Sequence, residues 1–154
     1  ESAEVVSPLA GQVKPLSQAT DPVFSSGVMG QGVVIEPSQG ELVSPVNGTV
    51  TVLFPTKHAV GIVSEEGVEM LMHIGMDTVS LDGQGFEAHV VQGDKVVVGQ
   101  QLISFDMDVI KKAGLVTETP VIITNQDDFQ ADVEGDLPRD IKRGDVLMIA
   151  HRTK

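Results

Sequence analysis

The chain repeats itself, and no other feature limits its possible folds as strongly. Ser7-Pro8-Leu9-Ala10-Gly11-Gln12-Val13-Lys14-Pro15-Leu16 is echoed by Ser44-Pro45-Val46-Asn47-Gly48-Thr49-Val50-Thr51-Val52-Leu53 at the Ser, Pro, Gly, Val and Leu positions. A second pattern, apolar–x–x–Gly–x–x–Leu, occupies residues 96–102 and returns, with a basic third position, at residues 141–147. Self-similarity of this kind predicts a duplicated supersecondary unit. Composition says what the unit is made of. Hydrophobic residues are 41% of the chain but aromatics only 3%, so the core must be built from Val, Ile, Leu and Met. Val favours strands, and the 16 Gly and 8 Pro supply tight turns. The expected fold is all-β, mainly antiparallel.

Strands are expected at residues 5–8, 32–36, 86–91, 96–98, 102–105, 121–124 and 146–150, with several more within 41–75. Residues 20–32, which include Asp21-Pro22-Val23-Phe24, read as a Gly-rich loop. One short helix is expected, capped by Asp106 or Asp108, filled by Val109-Ile110-Lys111-Lys112 and ended by Gly114. No linker divides residues 1–154, so the chain reads as a single domain. Its start at Glu1 rather than Met is compatible with excision from a longer multidomain protein.

The formal net charge of −12 repels phosphate backbones and anionic lipid, which argues against nucleic acid and membrane surfaces and towards a partner with a basic patch. There is no Cys, and no apolar stretch approaches the roughly 20 residues that cross a bilayer. No direct membrane insertion and a cytoplasmic location are expected.

Two of the four histidines lie in a predicted hairpin. Phe54-Pro55-Thr56-Lys57-His58-Ala59-Val60-Gly61-Ile62-Val63 and Val68-Glu69-Met70-Leu71-Met72-His73-Ile74-Gly75-Met76-Asp77 flank Ser64-Glu65-Glu66-Gly67, which suits a type I turn. If Ser64 faces Gly67, His58 lies opposite His73, Thr56 opposite Gly75 and Phe54 opposite Asp77. Alternation puts Phe54, Thr56, His58, Val60 and Ile62 on one face, with Leu71 and His73 on the matching face. Two imidazoles in an apolar patch suit phosphoryl chemistry. One acts as nucleophile with its tautomer fixed by a carbonyl, the other donates to phosphoryl oxygens, and a Thr hydroxyl orients the second ring. A zinc site is the competing reading, with Asp77 as third ligand.

These residues resemble a known family. Thr56-Lys57-His58-Ala59, then residues 68–81, Gly83-Gln84-Gly85-Phe86 and Thr119-Pro120-Val121-Ile122-Ile123-Thr124-Asn125 are similar to the glucose-type enzyme IIA domains of the bacterial sugar phosphotransferase system. Upstream, Ser7-Pro8, Asp21-Pro22-Val23-Phe24 and Gly30-Gln31-Gly32 extend the resemblance over nearly the whole chain. It implies a compact β-sandwich or barrel of duplicated halves with one or more short helices, and no cofactor. It implies that His73 accepts a phosphoryl group on Nε2 from the carrier HPr and passes it to a IIB domain for sugar uptake. His58 would contact the phosphoryl group, Thr56 would orient His58, and the Gly75 carbonyl would orient His73. Phe24, Phe54, Leu71 and Val79 would form an apolar rim. Asp21 and Asp77 would face an Arg of HPr.

The resemblance leaves a second reading, a regulatory IIA-like module that controls a sugar permease or metabolic enzymes and is tethered to the membrane through the permease. A zinc hydrolase of lysostaphin type is the remote third. It needs a His-x-His motif that the sequence lacks, although His58 and His73 could take zinc opportunistically. The sugar is not written in the sequence, and residues 127–140 receive no role. His89 and His151 read as surface residues.

Overall fold

The duplication is visible in the hydrogen bonds of the two echoed turns. In the computed structural model, which describes residues 2–153, the Ser7 hydroxyl donates to the Leu9 carbonyl and the Ser44 hydroxyl to the Val46 carbonyl, each at 2.7 Å. Both serines are fully buried. Their carbonyls accept N–H groups from Gly144 and Gly99, the glycines of the second echo, at 3.1 and 2.9 Å. The two turns also bond each other reciprocally. Val6 N–H donates to the Pro45 carbonyl (3.1 Å) and Val43 N–H to the Pro8 carbonyl (3.0 Å).

The strands extend this symmetry. In chain order they are β1 (Ser2–Val6), β2 (Gly11–Pro15), β3 (Gln31–Pro37), β4 (Glu41–Val43), β5 (Gly48–Leu53), β6 (Ala59–Ser64) and β7 (Glu69–His73). They continue as β8 (Phe86–Ala88), β9 (Lys95–Val96), β10 (Gln101–Phe105), β11 (Thr119–Ile123), β12 (Phe129–Val133), β13 (Arg139–Ile141) and β14 (Val146–Arg152). One eight-stranded sheet has the order β13-β2-β3-β11-β7-β6-β5-β9, and two three-stranded sheets have the orders β1-β14-β12 and β4-β10-β8. Reflected about the β11–β7 junction, each strand of the large sheet meets its counterpart, and the small sheets exchange. Val121 faces Met72 at that junction. Every strand pair among the described residues is antiparallel. The duplicated, mainly antiparallel β-sandwich expected from the sequence is the architecture found.

The helix α2 (Met107–Lys112) has the Asp106 carboxylate as its cap, accepting from the N–H groups of Asp108 and Val109, and Gly114 follows it with φ 79°. Some elements differ from the expectation. Residues 20–32 hold a one-turn helix, α1 (Pro22–Ser25), rather than only loop. Strands β12 and β13 lie within residues 127–141.

Alternation sets the position of the site. In β3, β11 and β7, Val33, Ile35, Val121, Ile123, Met70 and Met72 point into the main core. Val34 and Ile122 point the other way, into a smaller cluster with Leu16, Ala19, Phe24 and Met76, against which the half-buried Leu71 packs. These central strands are thus apolar on both faces, which explains the unbroken run Val121-Ile122-Ile123. His73, two residues beyond Leu71, falls on the smaller cluster's side.

Candidate active site

The hairpin forms with a different register from the one expected. Ala59, not His58, stands opposite His73, with Val60 opposite Met72 and Ile62 opposite Met70. The expected turn is present, since Gly67 N–H donates to the Ser64 carbonyl at 3.0 Å. Gly67 however adopts φ 100°, and Ser64 pairs with Val68 (2.8 Å). A left-handed glycine after a type I turn adds one residue to the loop, and that residue shifts every pair by one. The pairings Thr56–Gly75 and Phe54–Asp77 are therefore also overturned. Residues 54–58 form a turn rather than a strand, with Lys57 at φ 63°. Val60 and Ile62 belong to the main core and not to the histidine patch.

The rings meet all the same. Ile74 N–H donates to the His58 carbonyl at 2.7 Å, carrying the ladder one step past Ala59. The left-handed Lys57 ends the strand there and releases the His58 side chain from the pleat. The two imidazole centroids are 4.9 Å apart with ring planes at 84°. Phe54 stands edge-on to His58 at 5.4 Å, and Phe24 is tilted against His73 at 5.1 Å.

Each ring is held through Nδ1. His73 Nδ1 lies 2.8 Å from the Gly75 carbonyl, which can only accept, so the neutral ring carries its proton on Nδ1 and leaves the Nε2 lone pair free. His58 Nδ1 lies 2.6 Å from the Thr56 hydroxyl. His58 is 3% exposed, and burial, with the neighbouring His73 a smaller influence, lowers its pKa to about 4. Burial also lowers the pKa of His73, opposed by the Gly75 carbonyl, its own carbonyl and the charges of Asp21 and Asp77. Both rings are neutral at pH 7. One neutral imidazole offers a lone pair and the other an N–H donor, a pairing suited to a small anionic group between them. Among the described residues no group of three or more His, Cys, Asp or Glu side chains is placed to hold a metal ion.

The remaining expected residues form two walls. One is α1, which the Asp21 carboxylate caps by accepting from Val23 N–H at 2.9 Å, with Pro22 at the first helical position. It delivers Phe24, 5% exposed, whose burial contributes about 1.5–3 kcal/mol. The other wall is the loop after β7. Gly75 there has φ 73°, and a Cβ on it would lie 2.6 Å from Thr78 Cγ2 and 2.8 Å from the Val116 carbonyl, so only glycine fits. Asp77 follows at φ 59° and is exposed, and Val79 is 56% exposed on the short turn of helix beyond it. The buried Thr78, whose hydroxyl donates to the Ile74 carbonyl at 2.5 Å, braces this loop; nothing in its sequence marked it for that task. Asp21-Pro22, an N-cap followed by an N1 proline, was a legible signal for α1.

The depressed pKa values link folding to pH. Unfolded, both histidines protonate as the pH falls through about 6.5, whereas folded His58 resists until about 4. This contribution to stability is full above pH 6.5 and is lost as the pH falls from there towards 4. Urea unfolding of His58→Gln should show a flatter decline across that window than the unaltered chain. Equal slopes would assign the decline to His73 and the carboxylates rather than to His58.

Residues 3–129 match the model of a family described as the phosphoenolpyruvate-dependent sugar phosphotransferase system, EIIA 1. The chain belongs to this family. The IIA chain is 57% identical over 129 residues to a β-glucoside-specific EIIBCA component of Bacillus subtilis (strain 168), covering 83% of the chain and 21% of that protein. It is 49% identical over 123 residues to a glucose-specific EIIA component of Bacillus cereus (strain ATCC 14579), covering 80% of the chain and 74% of that protein. The chain thus spans about a fifth of the length of the first curated relatives it matches. Among solved structures, the glucose permease IIA from Mycoplasma capricolum superposes with a TM-score of 0.88 at 38% identity, over 97% of this chain and 96% of that one. The match places the chain among the EIIA units of that system.

Proposed function

We propose that His73 is the phosphoryl acceptor of this IIA, that phospho-HPr is the donor and that a IIB domain is the acceptor that follows. The observation that carries the reading is the pair of neutral, perpendicular imidazoles in which Gly75 leaves His73 Nε2 unprotonated. The Nε2 lone pair attacks phosphorus. An N–P bond forms, and the bond to the donor breaks with its electron pair staying on the donor. Charge spreads over the three equatorial phosphoryl oxygens during the step. In this reading the Thr56 hydroxyl donates to His58 Nδ1, so neutral His58 keeps its proton on Nε2 and donates it to them. Phe24 and Phe54 flank the two rings, and with Leu71 and Val79 they form the apolar part of the docking face. Asp21 and Asp77 supply the charge that meets a cation on HPr.

The name EIIBCA of the Bacillus subtilis relative supports a IIB domain as the next carrier. No helix among the described residues is long and apolar enough to cross a membrane. We place the chain's work on the cytoplasmic side, as one IIA domain that is free or joined to membrane components. Incubation with phospho-HPr followed by intact mass tests the reading. The expected result is a gain of one phosphoryl group, stable in base and lost in acid. No gain would overturn it.

A further inference from the structure

Both walls around His73 converge on one extended segment that the phosphoryl chemistry does not use. Residues 116–118 link α2 to β11 without strand or helix pairing of their own. The Val116 carbonyl accepts Met76 N–H at 3.3 Å and closes the space beside Gly75. Two residues on, Glu118 Oε1 accepts the backbone N–H of Thr20 at 2.6 Å. Glu118 is 6% exposed.

Thr20 immediately precedes Asp21, the cap of α1. A helix of one turn has no stability of its own, so tethers decide where it sits. The Asp21 cap is internal to the helix and fixes its shape, not its place. Phe24 in the small core cluster is one anchor. Gln126 Nε2, donating to the Gly27 carbonyl at 3.4 Å, is a weaker one beyond the far end. Glu118 is the anchor at the near end. A buried carboxylate costs more than an apolar side chain of the same size. What it supplies here is a charge-assisted acceptor, roughly twice as strong as a neutral one.

We propose that Glu118 is a positioning residue for phosphoryl transfer, holding the wall that carries Asp21 and Phe24 against the His73 ring. The proposal rests on the reading of His73 as acceptor. Without the tether, the wall retains its shape but loses its place. Phe24 no longer shields the ring steadily, and Asp21 no longer presents its charge at a fixed point.

The test compares Glu118→Leu and Glu118→Val, which remove the acceptor, with Glu118→Gln, whose amide oxygen still accepts Thr20 N–H. Four quantities are measured: KM and kcat for phosphoryl gain from phospho-HPr, the lifetime of the phosphorylated chain, the NMR titration of His73, and the urea midpoint. The apolar variants should keep or raise the urea midpoint while phosphoryl gain slows roughly 10- to 100-fold. Their phosphorylated form should hydrolyse faster. The His73 titration should move up towards that of a free histidine, because burial is the larger influence upon it and outweighs the loss of Asp21. Glu118→Gln should recover most of the rate. Wild-type rates with an unmoved titration would overturn the proposal. So would a Gln variant as slow as the Leu variant, or unfolding of both apolar variants, which would make the residue structural. If the unaltered chain takes no phosphoryl group, the acceptor reading fails, whereas the His73 titration still reports on the tether.

Discussion

His73→Gln leaves the chain folded and unable to take a phosphoryl group from phospho-HPr. The substitution is mild for the fold. His73 ends β7 and its backbone pairs with Ala59 whatever its side chain. Its ring is partly exposed and lies outside the main core, so no cavity forms there. The chemistry changes completely, because an amide nitrogen has no available lone pair. His58 cannot take over the role. It is 3% exposed, and its Nδ1 is engaged by the Thr56 hydroxyl at 2.6 Å. Intact mass after incubation should show no acid-labile gain at any time point at which the unaltered chain is fully modified. A His73→Gln chain that still gains one phosphoryl group, mapped to His58, would reverse the roles of the two rings.

His58→Gln should separate entry from exit. A glutamine amide can stand in for the Nε2–H donor, so phosphoryl gain from phospho-HPr should continue. Onward transfer should slow by about 10²–10³, the scale of one charge-stabilising interaction, because the amide cannot take up the proton. The asymmetry comes from protonation. The His58 pKa of about 4 belongs to a site without a phosphoryl group, where burial disfavours the cation. A phosphoryl anion beside the ring favours that cation, and the ring can give and take a proton as charge arrives and leaves. An amide cannot. Rapid quench with phospho-HPr on one side and a IIB domain on the other measures both rates. Equal slowing would make His58 a non-directional partner. No slowing would remove it from the phosphoryl site.

What the sequence revealed, and what it hid, follows from the range of the forces involved. The duplication was legible because each copy carries its own short-range bonds, as the serine-to-carbonyl contacts at Ser7 and Ser44 show. The partnership of His58 and His73 was legible through their common hairpin, yet the register drawn from symmetry was wrong. Hydrophobic alternation cannot register the one extra residue that a left-handed Gly67 inserts. Helix α1 escaped because a single turn is too short to show a period, although Asp21-Pro22 announced it. Strands β12 and β13 escaped because they are half exposed and sit among Asp, Gly and Pro. Glu118 left no trace at all. A lone acid before an apolar strand has no pattern, and its partner Thr20 is 98 residues away.

The near-symmetry of the two halves also bears on how the chain folds. The half made of β4 to β10 is continuous in sequence. The other is interrupted by it, β1, β2 and β3 waiting for β11 to β14. Ser2 pairs with His151 only after the whole inner half has been spanned. Closing such a loop costs only about 0.6 kcal/mol more for each doubling of its length. The final stability therefore loses little by the interruption. The rate carries the consequence, because contacts between distant segments must be reached before they reward the search. During synthesis the β2–β3 hairpin can form early, but the inner half is the first of the two halves to be complete. The reciprocal bonds from Val6 to Pro45 and from Val43 to Pro8 are where it offers a template to the segments still arriving.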